Sequence, residues 1–426
     1  MIRDKDAASN YVFSDSWWQR FQEQTGGLTR PSVFKDCLDE ERIAFYQEAV
    51  LHIVRDLAAL RTVQYGYRVY IDGRQLDSDE MEQIFDLPPA PGETFAAWVA
   101  RAFGQRKFGM IINSGEKFHL GLMTDVAATL APLFQDIGLP RDGINFTIFI
   151  GNYDQTPLGI HQDKRGENVM HFHLGPGSKT MHLWDKQQYL ALSAQDGFDR
   201  KQIEALRVHA TEYTFGSGDL FFMPEGEYHI GSQDGLSMGL TVWQYNHSDD
   251  LLAKHLHERL FKQVRVTQSQ RIRDDRNPLD DSSALDELLA VYRVRDELKD
   301  MNYSELLRET YTEWRYCVHS NAGYRHPPFE LEDAAALTPD DVVQSEYPYQ
   351  IQVRTSEAGK MQVYVRGRRI DFKHFPCVQA MIAAINQGRR HRVSELLAML
   401  DADWDRRIGL YILDQLHQRR GLRRVA

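Results

Sequence analysis

Gly218-Asp219-Leu220-Phe221-Phe222-Met223-Pro224-Glu225-Gly226-Glu227-Tyr228-His229 is the stretch that decides the fold of this 426-residue chain. Gly218 and Gly226 accept backbone angles that other residues avoid. Leu220 to Met223 form an apolar run short enough for one strand, and Pro224, lacking an amide hydrogen, ends the ladder. His229 is thereby delivered at a strand corner. A second histidine and a carboxylate precede it in Gly159-Ile160-His161-Gln162-Asp163. Positions two apart on an extended segment point to one face, so His161 and Asp163 can enter the same cavity. Two imidazoles and one carboxylate that leave coordination positions open suit a single non-haem Fe(II) ion and oxygen chemistry.

The spacing G-x5-P-x-G-x2-H is similar to the second sequence motif of the cupin superfamily, with Gln233 standing where that motif usually has Asn. The His161-x-Asp163 triplet resembles the JmjC-type 2-oxoglutarate oxygenases within that superfamily. The resemblance implies an α+β chain built on a double-stranded β-helix, the cupin or jelly-roll barrel. It makes His161, Asp163 and His229 the metal ligands and catalytic centre, with Fe(II), 2-oxoglutarate as cosubstrate, and O2. It also implies a basic residue one strand after the triplet. Lys179, in His173-Leu174-Gly175-Pro176-Gly177-Ser178-Lys179-Thr180-Met181-His182-Leu183-Trp184, takes that place. Its ammonium would pair with the far carboxylate of 2-oxoglutarate, with Lys164 and Arg165 as the alternatives. Tyr153, Thr156, Thr241 and Trp243 lie on neighbouring segments and are expected to line the cosubstrate pocket, strand phase being open by one residue.

A competing ligand set is His171-Phe172-His173, which superficially resembles the first cupin motif. That motif continues to a glutamate, and Leu174 to Thr180 contains none. His171 and His173 are therefore read as pocket-lining or hydrogen-bonded strand residues, and His182 has less still in its favour as a ligand.

Hydrophobic content of 42% and aromatic content of 11% exclude a disordered chain. No apolar run reaches the roughly 20 residues needed to span a bilayer, so no membrane segment is expected. Met1-Ile2-Arg3-Asp4-Lys5-Asp6 lacks the basic-then-apolar order of a secretory signal, and a cytoplasmic location is the expectation. Cys37, Cys317 and Cys377 are distant and odd in number, which fits buried thiols in a reducing compartment.

Charge marks out the C-terminus. From Val353 to Ala426, fifteen Lys and Arg face seven Asp and Glu, whereas the whole chain carries −11. Four regions are expected: 1–140 as helical and strand wrapping, 141–247 as the barrel core, 248–345 as a helical region, and 346–426 as a basic unit. Helices are expected near 39–61, 94–103, 124–136, 249–265, 283–299 and 304–318. Barrel strands are expected at 144–150, 168–174, 179–184, 211–215, 219–223 and 236–245. Arg30-Pro31-Ser32-Val33-Phe34 resembles the short strand that leads into JmjC-type barrels.

The ribosomal-oxygenase branch of the JmjC family carries a helical dimerisation region and a C-terminal winged helix, so the resemblance implies a homodimer and a winged-helix-like 346–426. A monomeric helical cap accounts equally well for the amphipathic helices. Arg389, Arg390, Arg392, Arg406, Arg407, Arg419, Arg420, Arg423 and Arg424 give that last unit a surface able to attract nucleic acid or an acidic peptide. A solvated charged face is the more frequent origin of such a cluster.

The reading that follows is a hydroxylase acting on an unactivated C–H bond of a peptide or protein side chain, with succinate and carbon dioxide as coproducts. The same chemistry on a free amino acid or small metabolite is one alternative. A non-redox metal cupin, or a ligand-sensing DNA-binding regulator, is the other.

Overall fold

The computed structural model describes residues 12–156, 158–194, 198–199, 203–263, 265–266, 274, 276–286, 292–293, 298–331, 335–355 and 359–425. Its contacts divide the chain into two units, Met1–Asn246 with Cys317–Ala426, and His247–Tyr316. Among the described residues, no helix is long and apolar enough to cross a membrane.

The architecture mixes helices with antiparallel sheet. Five helices, α1 (Asp15–Gln24), α2 (Glu40–Ala59), α3 (Ser78–Phe85), α4 (Phe95–Phe103) and α5 (Leu120–Ile137), come from the N-terminal part. Their starts are written in the sequence: Ser14, Asp39, Asp77 and Thr94 each accept a hydrogen bond from a first-turn amide. The helices expected near 39–61, 94–103 and 124–136 are α2, α4 and α5.

Ten strands make one antiparallel sheet: β1 (Ser32–Phe34), β2 (Arg68–Ile71), β3 (Arg74–Gln75), β4 (Phe108–Asn113), β5 (Ile144–Gly151), β6 (His161–Gln162), β7 (Glu167–Trp184), β8 (Thr211–Phe215), β9 (Leu220–Met223) and β10 (Tyr228–Tyr245). The order is β1-β9-β7-β10-β5-β4-β2-β3, with β6 on β10 and β8 on β7. The strand expected after Arg30 is β1, which pairs with β9.

β7 and β10, 18 residues each, pair along nearly their whole length and share their halves among four other strands. The first half of β7 takes β9 and the second takes β8. β10 takes β6 at its start and β5 at its end. Two strands were expected where β7 runs unbroken. The register shifts fall on either side of the Ser237↔Pro176 pair, so the ladder bends around the missing amide and continues.

Alternation then sorts the side chains. Phe146, Ile148 and Ile150 on β5, Met170 and Phe172 on β7, Leu220 and Phe222 on β9, and Leu240 and Val242 on β10 join the helices in the main apolar core. The residues between them, such as Thr147, Phe149, Val169, His171, Phe221, Met223, Thr241 and Trp243, turn to the opposite face and line a cavity. Both faces are covered, which is why these strands read in sequence as nearly continuous apolar runs.

The C-terminal part has its own core of Val363, Met381, Ile382, Leu396, Leu413 and others. An antiparallel meander of Gln352–Thr355, Lys360–Val365 and Arg368–Lys373 packs there with helices Pro376–Ile385, Val393–Leu397 and Arg406–Gln418. In the unit His247–Tyr316, a helix covers Asp249–Gln263, and Arg265–Val266 pairs with Tyr292–Arg293. Ser283–Leu285 is a 3-10 turn, so the helix expected over 283–299 is not present in its described portion. The rest of that span, like Met1 to Asp6, lies outside the described residues.

Candidate metal centre

The ladder places His229 directly opposite His161, with ring centroids 4.4 Å apart. Each histidine follows a tight turn at a glycine with positive φ, Gly159 at 70° and Gly226 at 88°. His161 Nδ1 lies 2.9 Å from the Gly159 carbonyl oxygen, and His229 Nδ1 lies 3.0 Å from that of Glu227. A carbonyl can only accept, so both Nδ1 atoms carry the proton. Both Nε2 atoms are left as lone-pair donors, the usual arrangement of a metal-binding imidazole.

Asp163 completes the group. Its Oδ2 is 3.7 Å from His229 Nε2, is buried, and has no hydrogen-bond partner among the described residues. One ligand atom from each of His161, Asp163 and His229 falls within 4.8 Å of the others. Burial, with a smaller contribution from Glu167, pushes the Asp163 carboxyl up to about 7. Burial and the neighbouring His161 push His229 down to about 3, with Lys179 adding to the effect. An orphaned buried carboxylate oxygen beside two lone-pair nitrogens is a site that a divalent cation satisfies and a hydrogen bond does not. The donor set fits Fe(II).

The same three residues line a cavity of about 190 Å³, together with Lys179, Tyr153, Thr156, Thr241 and Trp243. Every residue expected at the site therefore reaches one space. Lys179 is buried on β7, and its Nζ stands 5.1 Å from the centroid of the Phe149 ring. Among the described residues it has no carboxylate partner, and burial alone lowers its ammonium to about 8. Gly231 makes room for it, since a Cβ there would meet Lys179 Cε at 3.0 Å. Lys164 and Arg165 are exposed and do not line the cavity.

His171 and His173 are committed elsewhere. His173 Nε2 donates to the Gly177 carbonyl at 2.8 Å, which leaves its Nδ1 to accept from His171 Nε2 at 3.4 Å. His171 Nδ1 must then accept from the Thr241 hydroxyl at 2.7 Å. Burial holds both rings neutral, His173 at about 4 and His171 well below the usual histidine range. His171 lines the cavity and both are hydrogen-bonded, as read from sequence. His182 does not line it and pairs with Ser232 Oγ at 3.0 Å.

Sequence reading missed the wall formed by Arg68 on β2, Ile111 and Asn113 on β4, and Thr147 and Phe149 on β5. A signal for β2 and β3 was present. Asp72-Gly73, with φ of 49° and 82°, is the two-residue turn that closes a tight hairpin.

No protein-family model matches the chain, and no curated protein sequence does. Solved structures with a similar trace include the ribosomal oxygenase YcfD from Escherichia coli with cobalt and succinic acid, at TM-score 0.47 and 16% identity, covering 96% of this chain and 98% of that one. The same oxygenase with cobalt and 2-oxoglutarate gives TM-score 0.46 and 16% identity over 96% and 98% of the two chains. At such scores the likeness bears no functional argument; the side chains have to.

Proposed function

We propose that this chain is an Fe(II)- and 2-oxoglutarate-dependent oxygenase of JmjC cupin type that hydroxylates an unactivated C–H bond of a peptide or protein side chain. The observation that carries the reading is the Asp163 Oδ2, orphaned among the described residues and set beside two histidine Nε2 atoms in the same cavity as a buried ammonium that has no carboxylate partner among them. A metal-only site has no use for Lys179, and an anion site has no use for the triad; a chelating keto acid uses both.

Iron bound by His161, Asp163 and His229 would supply oxidative decarboxylation of 2-oxoglutarate coupled to hydroxylation, with succinate and carbon dioxide as coproducts. The chain's own groups do the rest. The Nδ1–H bonds to Gly159 and Glu227 fix both imidazole planes. Lys179 takes the far carboxylate of the cosubstrate, and Tyr153, Thr156, Thr241 and Trp243 wall it. Phe149, Val169, Phe221 and Met223 keep water from the reacting centre.

Several finer features belong to the same reading. The shared halves of β7 and β10 support a double-stranded β-helix over 141–247, wrapped by 1–140. The hairpin and helices of 346–426 support a winged-helix-like unit, and 248–345 serves as a helical, dimer-forming region in a cytoplasmic enzyme. A protein substrate follows from the resemblance to JmjC-type oxygenases and from the extra C-terminal unit, which resembles that of the ribosomal-oxygenase branch. Incubation with Fe(II), 2-oxoglutarate and candidate peptides should yield succinate and a product heavier by one oxygen atom, and His161→Ala should abolish both. Succinate formation undiminished in His161→Ala would remove the assignment.

A further inference from the structure

Arg68 is a charged residue of the cavity wall that the oxygenase reading leaves without a role. On β2 its neighbours Tyr67 and Val69 are buried in the main core, so Arg68 takes the opposite face, where it lines the cavity. The ladder runs Arg68↔Ile111↔Phe149, ending on the ring beneath Lys179. Adjacent strands lie about 4.8 Å apart, which sets Arg68 about 10 Å across the sheet from Phe149. Its Nε is buried without a hydrogen bond, and among the described residues its guanidinium pairs with no carboxylate. The indole Nε1 of Trp243 is a second buried donor on the same cavity with no partner among the described residues. Buried donors left unmade are costly and call for an acceptor that arrives from outside.

Charge decides what kind of acceptor. A divalent ion on the triad and the Lys179 ammonium are balanced by the Asp163 carboxylate and the two carboxylates of 2-oxoglutarate. Among the described residues, Arg68 and Lys179 are the only Lys or Arg in the lining, so of these two Arg68 is left without a counter-charge. A guanidinium facing a cavity lined largely by apolar and aromatic side chains, with its Nε buried and unbonded, is best satisfied by an anion beside it.

We propose that Arg68 recognises a carboxylate on the substrate to be oxidised, so that the hydroxylated molecule is acidic near its reacting carbon. This inference rests on the oxygenase reading. The planar fork of arginine suits a carboxylate held by paired hydrogen bonds, which fixes orientation as well as charge. The carboxylate belongs either to a free acid or to an acidic side chain of a protein, and the two sources are separable by experiment.

The full-length chain, loaded with Mn(II) and saturated with the unreactive cosubstrate mimic N-oxalylglycine, is titrated calorimetrically with N-acetyl-L-aspartate and with its amide counterpart N-acetyl-L-asparagine. A second pair is acetyl-Ala-Ala-Asp-Ala-Ala-amide and the same peptide with Asn. The acid of at least one pair should bind about tenfold or more tighter than its amide, the effect of a hydrogen bond to a charged group. Preference within the first pair points to a free acid, and within the second to a protein side chain. Arg68→Met should erase the preference and Arg68→Lys should restore part of it, while N-oxalylglycine affinity changes by less than about twofold. Arg68→Gln serves if the methionine variant fails to fold. Equal binding of acid and amide in both pairs, or no binding of either acid, overturns the proposal. So does a loss of N-oxalylglycine affinity in Arg68→Met as large as that in Lys179→Ala, which would make Arg68 part of the cosubstrate site. If N-oxalylglycine binding proves independent of the metal, the oxygenase reading falls instead, and the acid–amide comparison on the metal-free chain still decides the role of Arg68.

Discussion

Lys179 couples its protonation to what it binds. Burial lowers its ammonium from the usual 10.5 to about 8, and only the protonated form attracts a carboxylate. Affinity for 2-oxoglutarate is therefore full below pH 8 and declines as the pH rises past it, by up to about tenfold per unit. Steady-state kinetics should show the 2-oxoglutarate KM rising above pH 8 in the native enzyme. In Lys179→Ala, KM should already be raised about 10- to 100-fold at neutral pH and should stay flat through the same range. A KM that climbs equally in both proteins would assign the titration to another group. The residue scale is also where sequence was most informative. His161, Asp163 and His229 stood out because turn glycines and a strand-ending proline leave marks that do not depend on tertiary context; Lys179 was named only through the resemblance to JmjC-type oxygenases, and Arg68 carried no mark of its own.

At the scale of the element, alternation does the sorting, yet it was only partly readable. β5, β7, β9 and β10 bury apolar residues on the core face and line the cavity on the other, so polarity hardly changes from one residue to the next. Strand positions could be found and their phase could not. β7 and β10 were seen only in pieces because the Gly175-Pro176-Gly177 and Asp234-Gly235 stretches read as breaks, while the paired bulges carry the ladder through them. β2 to β4 fell within the expected helical and strand wrapping but were not located in it, despite the Asp72-Gly73 turn. Close packing of the two long strands makes a testable demand at Gly239. A Cβ there would collide with His171 Cε1, and that ring is held at both nitrogens. Gly239→Ala should destabilise the protein by about 1–3 kcal/mol, read as a lower denaturant midpoint. An unchanged midpoint would mean that the His171 ring is freer than its bonds imply.

Across the whole molecule, the opposed charges of the C-terminal part and the remainder raise the question of nucleic acid. Several of the arginines that form the basic cluster are already engaged. Arg407 pairs with Asp405 at 2.6 Å and Arg424 with Asp341 at 3.2 Å. Arg420 donates to the Phe329 carbonyl at 2.6 Å, and Arg419 to Gln415 at 2.8 Å. Fewer cations remain to displace counterions from a phosphate backbone. Mobility-shift titration with duplex DNA should show at most weak binding at about 50 mM salt and none at about 200 mM. Retention at the higher salt would revive the regulator alternative. The helices near 39–61, 94–103 and 124–136, the antiparallel strands and the change of charge at the C-terminus were visible in sequence at this scale, because periodicity and charge survive averaging over many residues.

The central claim is that His161, Asp163 and His229 hold Fe(II) in a cavity where Lys179 completes a 2-oxoglutarate site. Anaerobic titration of the Fe(II)-loaded protein with 2-oxoglutarate, followed by visible absorbance, tests it most directly. A weak charge-transfer band should appear and saturate in the native protein and be lost in Asp163→Ala. Iron-loaded protein that takes up 2-oxoglutarate without any such band, or a band undiminished in Asp163→Ala, would contradict it.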